Sequence, residues 1–152
     1  MTRPLAEVTQ NRYILLIPGG AGVQNVMNDD SFITILTSLA KRAHYILTVC
    51  TGSILLSKTG ILMNRRATTN KRLFTWTKMI PCVFWIQKAR WVRDGSVYTS
   101  SGVSAGMDMT LGFVSDLFGY ETACQISREI EYEWHNDSGH DPFCDQQVRD
   151  LV

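Results

Sequence analysis

The chain has 152 residues, enough for a single domain spanning residues 1–152 that buries roughly two-thirds of its unfolded surface. Hydrophobic residues make up 45% and charged residues 19%, a balance that excludes a disordered chain, a collagen-like chain and a coiled coil. Lys and Arg together number 15 against 14 Asp and Glu, and a formal charge of +1 gives no basic face for nucleic acid.

The four cysteines, Cys50, Cys82, Cys124 and Cys144, form no CxxC pair and match no zinc spacing. The first residues lack the apolar stretch of a signal peptide, and no apolar run reaches the length of a membrane span. These features predict a cytoplasmic chain with reduced thiols, no membrane contact, no metal and no cofactor.

In chain order, Tyr13–Ile17 is a continuous apolar run stopped by Pro18-Gly19-Gly20, which predicts a strand covered on both faces. Phe32, Ile35, Leu36 and Leu39 fall on one face of a helical period. Asp29 and Asp30 at its start and Lys41 and Arg42 at its end complement the helix dipole. His44 then reads as a surface histidine. Tyr45–Val49 predicts a second buried strand, and Thr51–Lys58 a short helix stopped by Gly60. Arg66–Thr69 predicts a brief strand, with Arg65 and Arg66 in a solvated turn, and Lys71–Met79 a helix ended before Pro81. Cys82 reads as a buried thiol. Asp94-Gly95 between Trp91–Arg93 and Ser96–Thr99 is a hairpin signal.

A helix over Ser104–Phe118 is expected to bury Met107, Leu111, Val114 and Phe118, with Ser104 as N-cap and Gly119 as stop. A last helix over Glu121–Glu131 turns Ala123, Ile126 and Ile130 inward. Beyond Trp134 the chain reads as a mobile polar tail. There His135, His140, Asp141 and Cys144 are ligand types without a zinc pattern. Trp76, Trp85, Trp91 and Trp134 read as core or interface. Alternating apolar runs and helical periods predict an α/β fold with a parallel sheet.

The informative site is Val49-Cys50-Thr51-Gly52. A buried strand that runs straight into a helix projects the junction residue at the end of the sheet, the geometry of a nucleophile elbow, and Gly52 permits the close turn. A helix N-terminus favours a thiolate. A small buried cysteine filling the strand end is the other reading. Gly19 and Gly20 end the neighbouring strand on the same edge. Their N–H groups, with that of Thr51, form a candidate oxyanion hole, although Gly-Gly also suits a plain turn.

Five motifs follow one another: Ile17-Pro18-Gly19-Gly20-Ala21-Gly22-Val23, Val49-Cys50-Thr51-Gly52, Arg66-Ala67-Thr68-Thr69, Arg90-Trp91-Val92-Arg93-Asp94-Gly95 and Ser101-Gly102-Val103-Ser104-Ala105-Gly106-Met107-Asp108. Together they resemble the ThiJ/PfpI superfamily, of the class I glutamine amidotransferase type, and most closely its isocyanide hydratase branch. The resemblance implies a flavodoxin-like three-layer sandwich and a homodimer acting on a small molecule. Cys50 takes the place of the nucleophile and Thr51 that of its catalytic neighbour. Gly19 and Gly20 stand for the backbone donors beside the reacting atoms. Arg90 and Asp108 are implied as a structural ion pair. The same motifs occur in regulators that fuse this domain to a helix-turn-helix module.

Two departures stand out. Asn70 stands where many members have a histidine, and asparagine exchanges no proton near neutral pH. The family's first strand and helix, which carry an acidic residue bonded to the nucleophile, lie upstream of anything matched here, so the chain reads as N-terminally truncated. The readings left open are a hydratase that converts a small isocyanide to an N-formamide, a non-catalytic protein whose Cys50 senses oxidants, and an inactive fragment.

Overall fold

In the computed structural model, which describes residues 4–9, 11 and 13–145, the chain folds around a four-stranded sheet. Its strands are β1 (Ile14–Ile17), β2 (Tyr45–Thr48), β5 (Trp91–Asp94) and β6 (Val97–Ser100), in the order β1-β2-β6-β5. The pairs β1–β2 and β2–β6 are parallel, and only β5 runs antiparallel, as the first arm of a hairpin with β6. A separate parallel pair joins β3 (Arg66–Ala67) to β4 (Phe84–Trp85).

The helices are α1 (Val23–Val26), α2 (Asp30–Arg42), α3 (Gly52–Ser57), α4 (Ala105–Phe118) and α5 (Tyr120–Glu129). Helix α2 begins where its charges predict, because the Asp29 carboxylate accepts from the Ser31 and Phe32 N–H groups at 2.9 and 3.1 Å. Its Leu36 and Ala40, with Leu55 and Leu56 of α3, cover Ile46 and Val97 on one face of the sheet. On the other face Met109 and Phe113 of α4 pack on Leu47, Trp91 and Tyr98. Two helical layers therefore enclose a mainly parallel sheet, the three-layer arrangement of a flavodoxin-like fold. Among the described residues, no helix is long and apolar enough to cross a membrane.

Several local expectations change. Strand β1 is an edge among the described strands, and Ile14 and Leu16 are 54% and 57% exposed rather than covered. Helix α4 carries two overlapping apolar stripes, and the sheet takes the other one. Ala105, Asp108, Met109 and Phe113 go inward with Leu111, whereas Met107 and Phe118 face out. Ser104 has helical dihedrals and makes no side-chain cap bond, because the turn preceding α4 is already wound. On α5, Ala123 is buried as expected, but Ser127 takes the place of Ile130, which is exposed.

Lys71–Met79 winds as a 3-10 segment kinked at Leu73, and the hairpin turn centres on Gly95-Ser96 because Asp94 pairs with Val97. Arg65 is held by Asp94, 3.4 Å away, so the predicted solvated turn is tied to the hairpin. His44 is exposed, as its sequence position suggests. Cys82 is exposed, not buried, since it lies in the turn after Pro81.

Candidate active site

Cys50 follows β2 with φ of 58°, a left-handed conformation that costs a side-chain-bearing residue of order 1–3 kcal/mol. The surroundings impose it. A Cβ on Gly52 would lie 2.2 Å from the Ile17 carbonyl oxygen, so the first turn of α3 passes directly over the end of β1. A Cβ on Gly19 would lie 2.5 Å from the Thr51 nitrogen. Gly106 brings the start of α4 equally tightly onto Val49, where an added Cβ would sit 2.9 Å from both methyl groups. Three glycines thus let three chain segments close on one strand-to-helix junction.

Two hydroxyls hold the Cys50 carbonyl. Ser53 Oγ donates to it at 3.2 Å and Thr69 Oγ1 at 3.1 Å. The Cys50 C=O and the Thr51 N–H belong to one planar trans peptide, so fixing the oxygen inward turns the N–H outward. The Thr51 and Gly19 N–H groups have no acceptor among the described residues, which suits them to a developing anion. Gly20 differs from expectation, because its N–H donates to Thr51 Oγ1 at 3.0 Å. The Thr51 hydroxyl, at 3.5 Å from the Gly20 carbonyl, is likewise turned into the glycine loop. The Gly52 N–H is taken by the Val49 carbonyl at 3.0 Å.

Beneath the cysteine lies a layer that the motif reading passed over. Thr48, Ser53, Thr68, Thr69, Thr99 and Ser100 are all buried. Thr68 N–H donates to Thr99 Oγ1 at 2.9 Å, and Ser100 Oγ to the Thr48 carbonyl at 3.2 Å. The sequence signal is the run of small hydroxyl residues after β3 and at the end of β6. All of these hydroxyls except that of Thr48 bond backbone groups where strands stop pairing.

Asn70, whose place the resemblance assigns to a histidine in many members, accepts from the Arg72 N–H at 3.0 Å and caps the 3-10 segment. Among the described residues no carboxylate hydrogen-bonds to the Cys50 sulfur. Asn70 borders a cavity of about 150 Å³ together with Lys71, Arg72, Ser101, Gly102 and Phe143.

Arg90 and Asp108 form a buried pair, with Nη2 2.6 Å and Nε 2.7 Å from Oδ2. The tail is irregular as expected, but it is not free. Asp141 is buried, whereas His135 and His140 are exposed. No group of three metal-ligating side chains occurs among the described residues. All four cysteines are unpaired.

A mainly parallel sheet between two helical layers, with a cysteine at a strand-to-helix junction on its carboxyl edge, defines an α/β protein of flavodoxin-like architecture. The DJ-1/PfpI family matches residues 1–116, and the chain belongs to that family. Isonitrile hydratase of Pseudomonas putida is 37% identical over 120 residues, covering 78% of this chain and 51% of that protein. The HTH-type transcriptional regulator GbdR of Pseudomonas aeruginosa is 28% identical over 126 residues, covering 78% of this chain and 32% of the regulator. The crystal structure of a ThiJ/PfpI family protein from Pseudomonas syringae superposes with a TM-score of 0.76 at 28% identity, over 85% of this chain and 53% of that one. The chain thus spans about half the length of the hydratase and of the P. syringae protein.

Proposed function

We propose that the protein is an isocyanide hydratase-like cysteine enzyme. The observation that carries this reading is the left-handed Cys50 elbow with the unengaged Thr51 N–H beside it. The 37% identity to isonitrile hydratase supports the choice of substrate class.

In the proposed reaction the Cys50 sulfur attacks the terminal isocyanide carbon, which takes up a proton, and a thioimidate forms. Water adds to that carbon, the nitrogen takes a proton, and the C–S bond breaks. The products are the N-formamide and the free thiol, so one water is consumed in all. Thr51 and Gly19 N–H groups stabilise charge on the adduct. The resemblance further implies a homodimer, which the solution mass tests.

One observation favours a second reading. With Asn70 capping a helix and no carboxylate on the sulfur among the described residues, Cys50 is also suited to sensing peroxide through a sulfenate. Incubation with a simple alkyl isocyanide separates the two. The hydratase reading expects N-formamide from the parent chain and none from Cys50→Ser. Equal formamide from both would refute it, and a peroxide-dependent sulfenate without formamide would establish the second.

A further inference from the structure

Lys71 and Asp141 meet at the carboxyl edge of the sheet, outside the five motifs. Their side chains are 3% and 0% exposed, with Nζ 3.6 Å from Oδ2. Lys71 Nζ also donates to Thr68 Oγ1 and to the Ala89 carbonyl, each at 2.7 Å. Asp141 Oδ2 accepts from Ser101 Oγ at 2.6 Å, and Oδ1 from the Phe143 N–H at 3.0 Å. The pair therefore joins the loop after β3, the end of β6 and the segment 137–145. That segment is tacked down twice more, by Arg90 N–H on the Ser138 carbonyl and by Gln87 Nε2 on the Cys144 carbonyl, both at 2.8 Å.

Stability alone is a poor reason for such a pair, because an apolar pair of similar volume often holds a segment as well or better. Burial lowers Lys71 from 10.5 to about 8 despite the nearby Asp141, so desolvation outweighs the attraction. Placement supplies the reason. Thr68, the lysine's partner, adjoins Thr69, whose hydroxyl holds the Cys50 carbonyl. Thr68 N–H is in turn fixed on Thr99 of β6. We propose that Lys71 and Asp141 are positioning residues for Cys50, clamping the 68–70 loop so that Thr69 fixes the Cys50–Thr51 peptide. The inference rests on Cys50 as the reacting group and is independent of which substrate it takes.

The test replaces both partners, Lys71→Met with Asp141→Leu, which leaves no unpaired buried charge. Alkylation by iodoacetamide is followed site by site. Half-buried Cys124 on α5 reports any general loosening. The expected result is a Cys50 rate about tenfold lower with the Cys124 rate unchanged, within the range of couplings between contacting groups. The Cys50 and Thr51 amide resonances shift as well. A folded double variant with the parental Cys50 rate and resonances overturns the proposal. Thr69→Val cuts the last link without touching the ion pair, so it decides the matter if the double variant fails to fold. It must slow Cys50 similarly, and a parental rate again overturns the clamp. Neither measurement uses isocyanide turnover, so failure here is distinct from failure of the hydratase reading.

Discussion

Arg90 and Asp108 form a closed unit in which every acceptor site of the carboxylate is filled. Oδ2 takes Nε and Nη2 of Arg90 at 2.7 and 2.6 Å. Oδ1 takes the Tyr132 hydroxyl at 3.0 Å and the His135 N–H at 2.9 Å. A carboxylate has about four lone-pair sites, so none remains for a substrate or thiol. The role is to bind α4 to the start of β5 and to residues 132–135. Asp108→Asn leaves Arg90 buried without its counter-charge, and a loss of about 3–5 kcal/mol is expected. Urea denaturation measures it, and a loss below about 1 kcal/mol contradicts this role.

Accessibility alone ranks Cys82 first for alkylation, because it is exposed and Cys50 is half-buried. The elbow ranks Cys50 first. Cys50 adopts the left-handed turn that leads into α3, next to the unengaged Thr51 N–H, a strand-to-helix junction that presents a side chain for attack. Brief, limiting alkylation near pH 7 followed by peptide mapping is expected to label Cys50 ahead of Cys82. Preferential labelling of Cys82, Cys124 or Cys144 in the folded protein goes against the elbow.

How much of this was readable beforehand varies with distance along the chain. The β2–Cys50–α3 junction is legible because an apolar run, a cysteine and a glycine sit within a few residues. Strand β1 was recognisable as a strand, but its exposed face depends on which neighbours it has. Helix α4 offered two apolar stripes, and the choice between them is made by Arg90, which draws Asp108 inward from another element. Asp141 was hidden for the same reason. In a polar tail it looks solvated, and only Lys71 and Ser101, remote in sequence, reveal it as buried. The hydroxyl layer under Cys50 lay in plain view in Thr68-Thr69 and Thr99-Ser100-Ser101, yet small polar residues at strand ends usually read as turns.

Thr48 Oγ1 is fully buried and has no hydrogen-bond partner. An unsatisfied buried hydroxyl costs roughly 1–3 kcal/mol, and valine has nearly the same shape with a higher strand propensity. Thr48→Val is therefore expected to raise stability by about 1 kcal/mol, seen as a higher denaturation midpoint with an unchanged slope. A destabilised variant would mean that the hydroxyl has a partner, such as an enclosed water.

Burial lowers Lys71 to about 8 in the folded protein from its ordinary value of 10.5, with Asp141 opposing the change. Between these values the unfolded chain binds more protons than the folded one, so stability rises with pH across that window. Below about 8 the full cost of burying the ammonium is present. Tyr98 and Tyr132 act in the opposite sense, since burial raises both, and they erode stability once pH passes the ordinary tyrosine value of about 10. The denaturation midpoint is expected to rise from about pH 7 to about pH 9.5 in the parent chain, and less in Lys71→Met. The same rise in both would show that Lys71 is not its source.

Turnover by this chain is expected to be limited by proton transfer. Attack on an isocyanide requires a proton at carbon, and release of the formamide requires one at nitrogen. The described residues place no carboxylate on the Cys50 sulfur. Asn70 exchanges no proton near neutral pH, and its side-chain oxygen is already occupied by the Arg72 N–H. Positioned acid–base help is worth about 10²–10⁴-fold, so slow turnover is the expected outcome without it. A small carboxylic acid in the buffer can reach the adduct from solution, because Cys50 is only half-buried. Formate or acetate is therefore expected to raise the steady-state rate of formamide production in proportion to its concentration, with ionic strength held constant by chloride. Cys50→Ser is expected to show no such rise. Fast turnover that is independent of carboxylate would overturn this prediction, and would require a group within the chain or on a partner subunit to carry the proton.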